Sequence, residues 1–524
     1  MKEDVVRTPK VVVFCIDGGV ADVVRRYGLF DIGTRFPRHA GGRATVLPTI
    51  FPSSTAPAHA SFLTGVDAGG HGIVGNRFWS GEPVADIRGR CANPVATLHP
   101  YEHTSLTAPS LLDWFAAEGA STAAVQFPQT FSRQPFPAQC PALYCLYAPA
   151  RSVDVTLTEM LYGTFVGGCV LEYYEQPVEV MVTDVAEPDG ERVVLVQVQD
   201  GDPVRLRYGA TGRVRGHVRE GAVSFAITPS ALDGGRVRLA VGTAVLTMAF
   251  GGLTNAELAH LDGPSSLSVE YTANPGHDFH EAPSADWIGR AAVHVAQRYE
   301  PDVLFVRFNQ ADHAQELLYW HAARGARDES TLARAQMLQA YRTIEANVMM
   351  IAETIGPDAS YVFFSDHGID WVETHIRPDS VLEDLGWTDR MIFQGDSNCA
   401  FLYADTPLSA AELEKLTVAV TSLHPSVRVL DAAGLRSLGL RADGPRIGRL
   451  AITSGAHTEF QYSPGPRCEA VRSASHGYLP TDPAMSGFFR MSGLGTEGLP
   501  APRGLTAAAD VVRTIWQRRQ EPSS

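Results

Sequence analysis

A small set of side chains in this sequence is placed where chemistry could happen. Asp17 ends the apolar run that begins at Lys10 and is followed by two glycines. Thr55 lies in Phe51-Pro-Ser-Ser-Thr-Ala-Pro-Ala-His59, which reads as a loop entering a short helix that stops at Gly65. A hydroxyl there caps the helix or, facing the free N–H groups and the positive end of the dipole, meets an anion as a nucleophile. Asn76 follows in a glycine-rich loop, where a side-chain amide either makes a turn or donates to an anion. Asp312 and Glu316 stand four residues apart on one helix face, which is either a solvated acidic face or one with a cation between them. Asp366 and His367 close a second strand-like run, and His476 sits among small residues in a later loop. Carboxylates and imidazoles in two groups suit a pair of divalent ions such as Zn²⁺ or Mn²⁺. Two ions about 4 Å apart can clamp an in-line displacement at phosphorus.

The elements that must position these residues follow from the apolar pattern. The runs at 10–17, 302–308 and 361–366 are continuous rather than alternating, as in central parallel strands covered on both faces. Ligands bind such sheets at the carboxyl ends of the strands, so Asp17, Asp312 and Asp366 are expected on one edge. Helical spacing at 110–119, 285–299 and 330–355, with a strand at 121–127, supplies the βαβ rhythm; 411–420 and 507–517 read as peripheral helices. Between about 148 and 276 the pattern changes to short β runs (178–183, 192–198, 204–208, 222–228 and 236–250) separated by Asp-Gly turns. The expected organisation is a catalytic core from 1–148 and 277–524, with a β-rich module inserted at 149–276.

With 524 residues, 45% hydrophobic and 19% charged, the chain can build a large core plus an insertion. Its 43 basic and 58 acidic residues leave a formal charge of −15, and no basic block or basic amphipathic helix occurs. Nucleic-acid polymers and membranes are therefore not expected as partners. The seven cysteines are scattered without a CxxC spacing, which argues against disulfides and a four-cysteine zinc site. The N-terminal residues lack a signal-peptide pattern, so a cytoplasmic location is expected.

The order of motifs resembles the type I phosphodiesterase/nucleotide pyrophosphatase branch of the alkaline phosphatase superfamily. The resembling residues are Ile16-Asp-Gly18, Phe51 to His59, Leu63-Thr-Gly65, His71 to Asn76, Ser365-Asp-His-Gly368 and Ser475-His-Gly-Tyr478. The resemblance implies an α/β, alkaline-phosphatase-like sandwich: a central, mostly parallel sheet flanked by helices, plus the β-rich insertion. It implies a metal-dependent hydrolase, phosphodiesterase or phosphatase, acting on a small phosphorylated molecule through a phosphothreonine at Thr55. Asp17, Asp366, His367 and the Thr55 oxygen would hold one divalent ion. Asp312 and His476 would hold the other, while Asn76 and the backbone N–H beside Thr55 would bind phosphoryl oxygens.

Two departures qualify this. The family has His four residues beyond its second-site Asp, where this chain has Glu316; Asn309 and His313 offer the same spacing, but counting from Asp302 favours Asp312. Both ions are expected to be Zn²⁺, with Mn²⁺ or Mg²⁺ as the alternatives at the Asp312/Glu316/His476 site. Ala56 stands where nucleotide-cleaving members carry an aromatic residue, so a nucleotide substrate is not supported. Arg77, Arg88 and Arg90 are candidate contacts for substrate phosphate. The alternatives are phosphonate hydrolysis or phosphomutase-like chemistry on the same scaffold, or a metal-poor homologue that binds a phospholigand without turnover.

Overall fold

In a computed structural model, residues 9–521 are described apart from 41, 92–97, 149, 174–175, 220, 255–256, 259–260, 262–266, 275–277 and 282. The expected insertion borders at 149 and 276 lie outside the described residues. The strands Val11–Ile16, Val303–Phe308, Ser360–Phe364 and Thr122–Val125 form the parallel centre of a 12-stranded sheet. Their residues alternate between two apolar layers. Val11, Val13, Cys15, Val303, Phe305, Val362 and Phe364 face the helices Thr55–Thr64, Leu111–Ala117 and Leu505–Gln520. Val12, Phe14, Leu304, Val306, Tyr361 and Phe363 face the helices Ala285–Tyr299 and Arg327–Ile355. Burial on both faces is what the unbroken apolar runs require.

Register aligns the strand ends. Cys15 pairs with both Arg307 and Phe364, so Asp17, Asn309 and Asp366 each lie two residues beyond one paired row. Helix Gln310–Arg324 starts immediately after, bringing Asp312 to the same edge.

The β-rich region divides in two. Strands 151–156, 212–218, 221–232, 236–241 and 244–250 continue the central sheet, joined to it where Ala142–Ala148 pairs antiparallel with Ala244–Phe250. The strands between 158 and 207 make a separate 5-stranded sheet, and Leu267–Glu270 pairs with Asp278–Glu281 in a small two-stranded one. The run 236–250 is two strands rather than one, broken at Gly242. A further 4-stranded sheet holds the hairpin Met391–Gly395/Cys399–Ala404, and a 3-stranded sheet ends in Cys468–Ser475, just before His476. No described helix is long and apolar enough to cross a membrane.

The helix carrying Thr55 is pressed onto the sheet by aromatic rings: Phe62 stacks on Phe364 with centroids 3.9 Å apart, and Phe127 packs against both. Phe62 is fully buried. Phe62→Ala is expected to cost about 3–5 kcal/mol in chemical denaturation. A loss below about 1 kcal/mol would show that this stack does not fix the helix.

Candidate active site

The helix Thr55–Thr64 begins one residue earlier than a Thr55 cap would require: Ser54 holds the cap position without a side-chain bond, and Thr55 is the first helical residue. The capping acceptor comes from elsewhere. Asn76 Oδ1 accepts the Ala56 N–H at 2.8 Å. The amide beside Thr55 is thus committed to Asn76, whose Nδ2 end is left as a donor for a ligand. Gly65 closes the helix in the left-handed region, with φ 77°.

Thr55, 5% exposed, places its hydroxyl 3.3 Å from His367 Nε2. The same nitrogen lies 3.4 Å from Asp17 Oδ1 and 3.6 Å from Asp366 Oδ2. Each carboxylate spends one oxygen on protein partners. Asp366 Oδ1 accepts the N–H groups of Gly18 and His367, and Asp17 Oδ2 takes both Nε and Nη2 of Arg307. The other oxygens, Asp17 Oδ1 and Asp366 Oδ2, are buried and accept no hydrogen bond among the described residues. His367 Nδ1 is bonded to the Gly368 carbonyl at 3.0 Å, which turns Nε2 to the site. Two free oxygens and one imidazole nitrogen converging in this way fit a divalent cation.

A second group lies alongside. Asp312, His367 and His476 bring ligand atoms within 4.8 Å of one another, and the two imidazoles stack with centroids 4.1 Å apart. Asp312 Oδ1 and His476 Nδ1 are buried without a hydrogen bond among the described residues. Glu316 reaches the rim of this group, its Oε1 4.0 Å from His476 Nε2 and its side chain 41% exposed. Close approach of Asp312 to the Asp17 turn depends on Gly18, φ 65°, where a Cβ would come within 2.8 Å of the Asp312 Cα. The alternative pair points elsewhere: Asn309 and His313 contact each other, and His313 lies edge-on to Tyr147.

Of the three arginines considered for phosphate, Arg88 donates to the Thr388 and Met391 carbonyls and Arg90 stacks over Trp79. Arg77 donates to Gln394 Oε1. Two site residues had no role assigned from sequence. Arg307, 8% exposed, pairs with Asp17 and has the Tyr144 hydroxyl beside it. His59, one turn after Thr55, bonds the Thr55 carbonyl at 2.9 Å and lies 3.3 Å from Asp366 Oδ2. A histidine four residues on from the hydroxyl, inside an otherwise apolar helix, was the available signal.

The electrostatics express the crowding of acids. Burial, then the Asp17 charge, pushes Asp312 up to about 8, and burial also raises Asp17 against the pull of Arg307. For Asp366 burial is outweighed by His367 and His59, which hold it far below the ordinary range. His367 is raised, since Asp366 and Asp17 overcome its burial. A cation must displace the protons on these groups. Asp312 unfolded titrates near 4, so the metal-free fold holds an extra proton between about pH 4 and 8 and loses stability as pH rises through that window. Deprotonation over the same window favours the metal-bound state. The melting-temperature increase on adding Mn²⁺ or Zn²⁺ is therefore expected to be larger at pH 8 than at pH 6. An equal or smaller increase at pH 8 would contradict this.

Comparison with known proteins assigns the chain to a family. A model of the type I phosphodiesterase/nucleotide pyrophosphatase family matches residues 11–214 and 246–479. No curated protein matches the sequence. Among solved structures, murine ectonucleotide pyrophosphatase/phosphodiesterase 5, in an inactive form in complex with AMP, superposes with a TM-score of 0.53 at 11% identity, over 98% of this chain and 97% of that one. Phosphonoacetate hydrolase from Sinorhizobium meliloti, in complex with phosphonoformate, gives 0.50 at 16% identity, over 97% and 96%. At these identities the likeness is one of fold. The family model spans most of the chain, and the protein belongs to the type I phosphodiesterase/nucleotide pyrophosphatase family, hydrolases of phosphoric ester bonds.

Proposed function

We propose that the protein hydrolyses a small phosphorylated molecule by phosphoryl transfer to Thr55. The observation that carries this reading is the convergence on His367 Nε2 of the Thr55 hydroxyl and two buried carboxylate oxygens left without hydrogen bonds. Asp17, Asp366, His367 and Thr55 would hold one divalent ion; Asp312, His476 and Glu316 would hold a second. Bound there, the ions would supply positive charge to the phosphoryl oxygens and lower the pKa of the Thr55 hydroxyl.

The chain's own groups do the rest. Thr55 Oγ1 forms a bond to phosphorus as the bond to the leaving oxygen breaks. Water then cleaves the phosphothreonine, releasing the phosphoryl group and restoring the hydroxyl. His59 holds the Thr55 carbonyl and so fixes the first turn that aims the hydroxyl. Arg307 keeps Asp17 Oδ2 engaged, which presents Oδ1 alone. Asn76 Nδ2 is the side-chain donor for a phosphoryl oxygen, stabilising charge as it develops.

The two structural relatives are described as binding AMP and phosphonoformate, both small and anionic. Buried Ala56 offers no ring for a nucleobase, which favours a substrate smaller than a nucleotide. Phosphonates remain the second reading, because a C–P bond would meet the same nucleophile. An aryl phosphodiester, an aryl phosphomonoester and phosphonoacetate, assayed with Zn²⁺ or Mn²⁺, separate these classes. Thr55→Ala is expected to lower turnover of the preferred one by about 10³-fold or more; retention of the full rate would refute the nucleophile.

Glu316 bears on the metal. Its carboxylate is harder than imidazole, so the second site is expected to favour Mn²⁺ over Zn²⁺ relative to a histidine site. Glu316→His is expected to raise Zn²⁺ affinity about ten-fold, measured by chelator competition. An unchanged affinity would place Glu316 outside the ligand set.

A further inference from the structure

Far along the chain from Thr55, a hairpin of the 4-stranded sheet brings one buried acid against the Asn76 loop. Asp396, 7% exposed, sits at its turn. Both of its carboxylate oxygens accept the backbone N–H of Asn76, at 2.8 and 3.0 Å. The acid is itself fixed from two sides. Its N–H donates to the Cys399 carbonyl at 2.8 Å, and the Tyr462 hydroxyl donates to its carbonyl at 2.8 Å. The neighbouring hairpin residue Gln394 accepts from Arg77, so positions 394 and 396 clasp the segment 75–77. Gly75 makes the approach possible, because a Cβ there would stand 3.2 Å from Asp396 Oδ2.

Burying a carboxylate is expensive unless its interactions return the cost. Burial pushes the Asp396 carboxyl up to about 6. A neutral acceptor would hold the loop N–H more weakly, since hydrogen bonds to a charged group are about twice as strong. What the charged group secures is the placement of Asn76, and Asn76 is anchored at its other end too, by Oδ1 on the Ala56 N–H. With backbone and side-chain oxygen both tied, the Nδ2 donor has little freedom of direction. Such restraint is what a phosphoryl contact needs, since misplacing it by about 1 Å can cost about 10²-fold in rate.

We propose that Asp396 is a positioning residue for the phosphoryl group: through its bond to the Asn76 backbone it aims Asn76 Nδ2 at a phosphoryl oxygen held beside Thr55. This rests on the reading of Asn76 as a phosphate contact. The carboxylate's hydrogen bonds go to Asn76, with the Ser54 hydroxyl also beside it, so its role is one of positioning through Asn76.

The test uses the full-length, metal-loaded protein with inorganic phosphate as the probe, titrated calorimetrically, with metal content measured in parallel. Asp396→Asn is expected to weaken phosphate binding about ten-fold at unchanged metal content, in line with the loss of one charge-assisted hydrogen bond. Gly75→Ala attacks the same contact from the other side and is expected to give a loss of similar size, which covers the case of an Asp396 variant that does not fold. In an Asn76→Ala background, Asp396→Asn is expected to add nothing further, because the two residues act as one unit. Full phosphate affinity in both the Asp396 and Gly75 variants would overturn the inference, as would additive losses in the double variant. If Asn76→Ala alone left phosphate affinity unchanged, the phosphate reading of Asn76 would fail and take the role of Asp396 with it.

Discussion

Three aspartates packed into one buried corner repel each other, and much of the structure around them exists to tolerate that. Asp17, Asp312 and Asp366 are all at most 5% exposed. In a medium of low polarizability, like charges a few ångströms apart cost several kcal/mol, so positive charge has to be close by. The protein provides part of it: Arg307 on Asp17, His59 on Asp366 and His367 between Asp17 and Asp366. The remaining oxygens, Asp17 Oδ1, Asp312 Oδ1 and Asp366 Oδ2, accept no hydrogen bond among the described residues, a deficit that a cation would fit.

The scaffold turns this repulsion into a fixed geometry. Three parallel strands stop level with one another, and a glycine lets the Asp312 backbone come up against the Asp17 turn. Neither aspartate can relax by moving away, because strand register and the flanking aromatic stack hold the ends in place. The division of labour within each carboxylate, one oxygen for the protein and one for the cleft, follows from where the neighbouring donors lie. Backbone N–H groups serve Asp366, whereas a guanidinium serves Asp17.

Much of this could be read from the sequence, and the parts that could not share a cause. An apolar run that ends in an acid and then glycine announces a central strand and its functional tip, so Asp17, Asp366 and the approach to Asp312 were legible. Arg307 was not. A charged residue inside a strand usually points to solvent, and only the parallel pairing of Cys15 with Arg307 shows that it faces the layer of the Thr55 helix. Asp396 was hidden for a different reason: its partner Asn76 is 320 positions away, and no local pattern encodes a contact at that separation. The β-rich segment had the right composition but an invisible destination. Alternation reveals a strand, whereas which sheet it joins depends on which edge is left open by strands already placed.

That destination has an evolutionary side. The chain moves out along Ala142–Ala148 and comes back antiparallel beside it, with Ala148 opposite Ala244 and Ala142 opposite Phe250. Between these two, the described residues add the strands 151–156, 212–218, 221–232 and 236–241 to the same sheet beyond Ala244–Phe250, and carry the separate 5-stranded sheet. The length and content of this arm can drift without disturbing the order of the strands that carry the acids. A lineage could change this arm piecemeal while keeping the strand ends that lead to Asp17, Asp312 and Asp366.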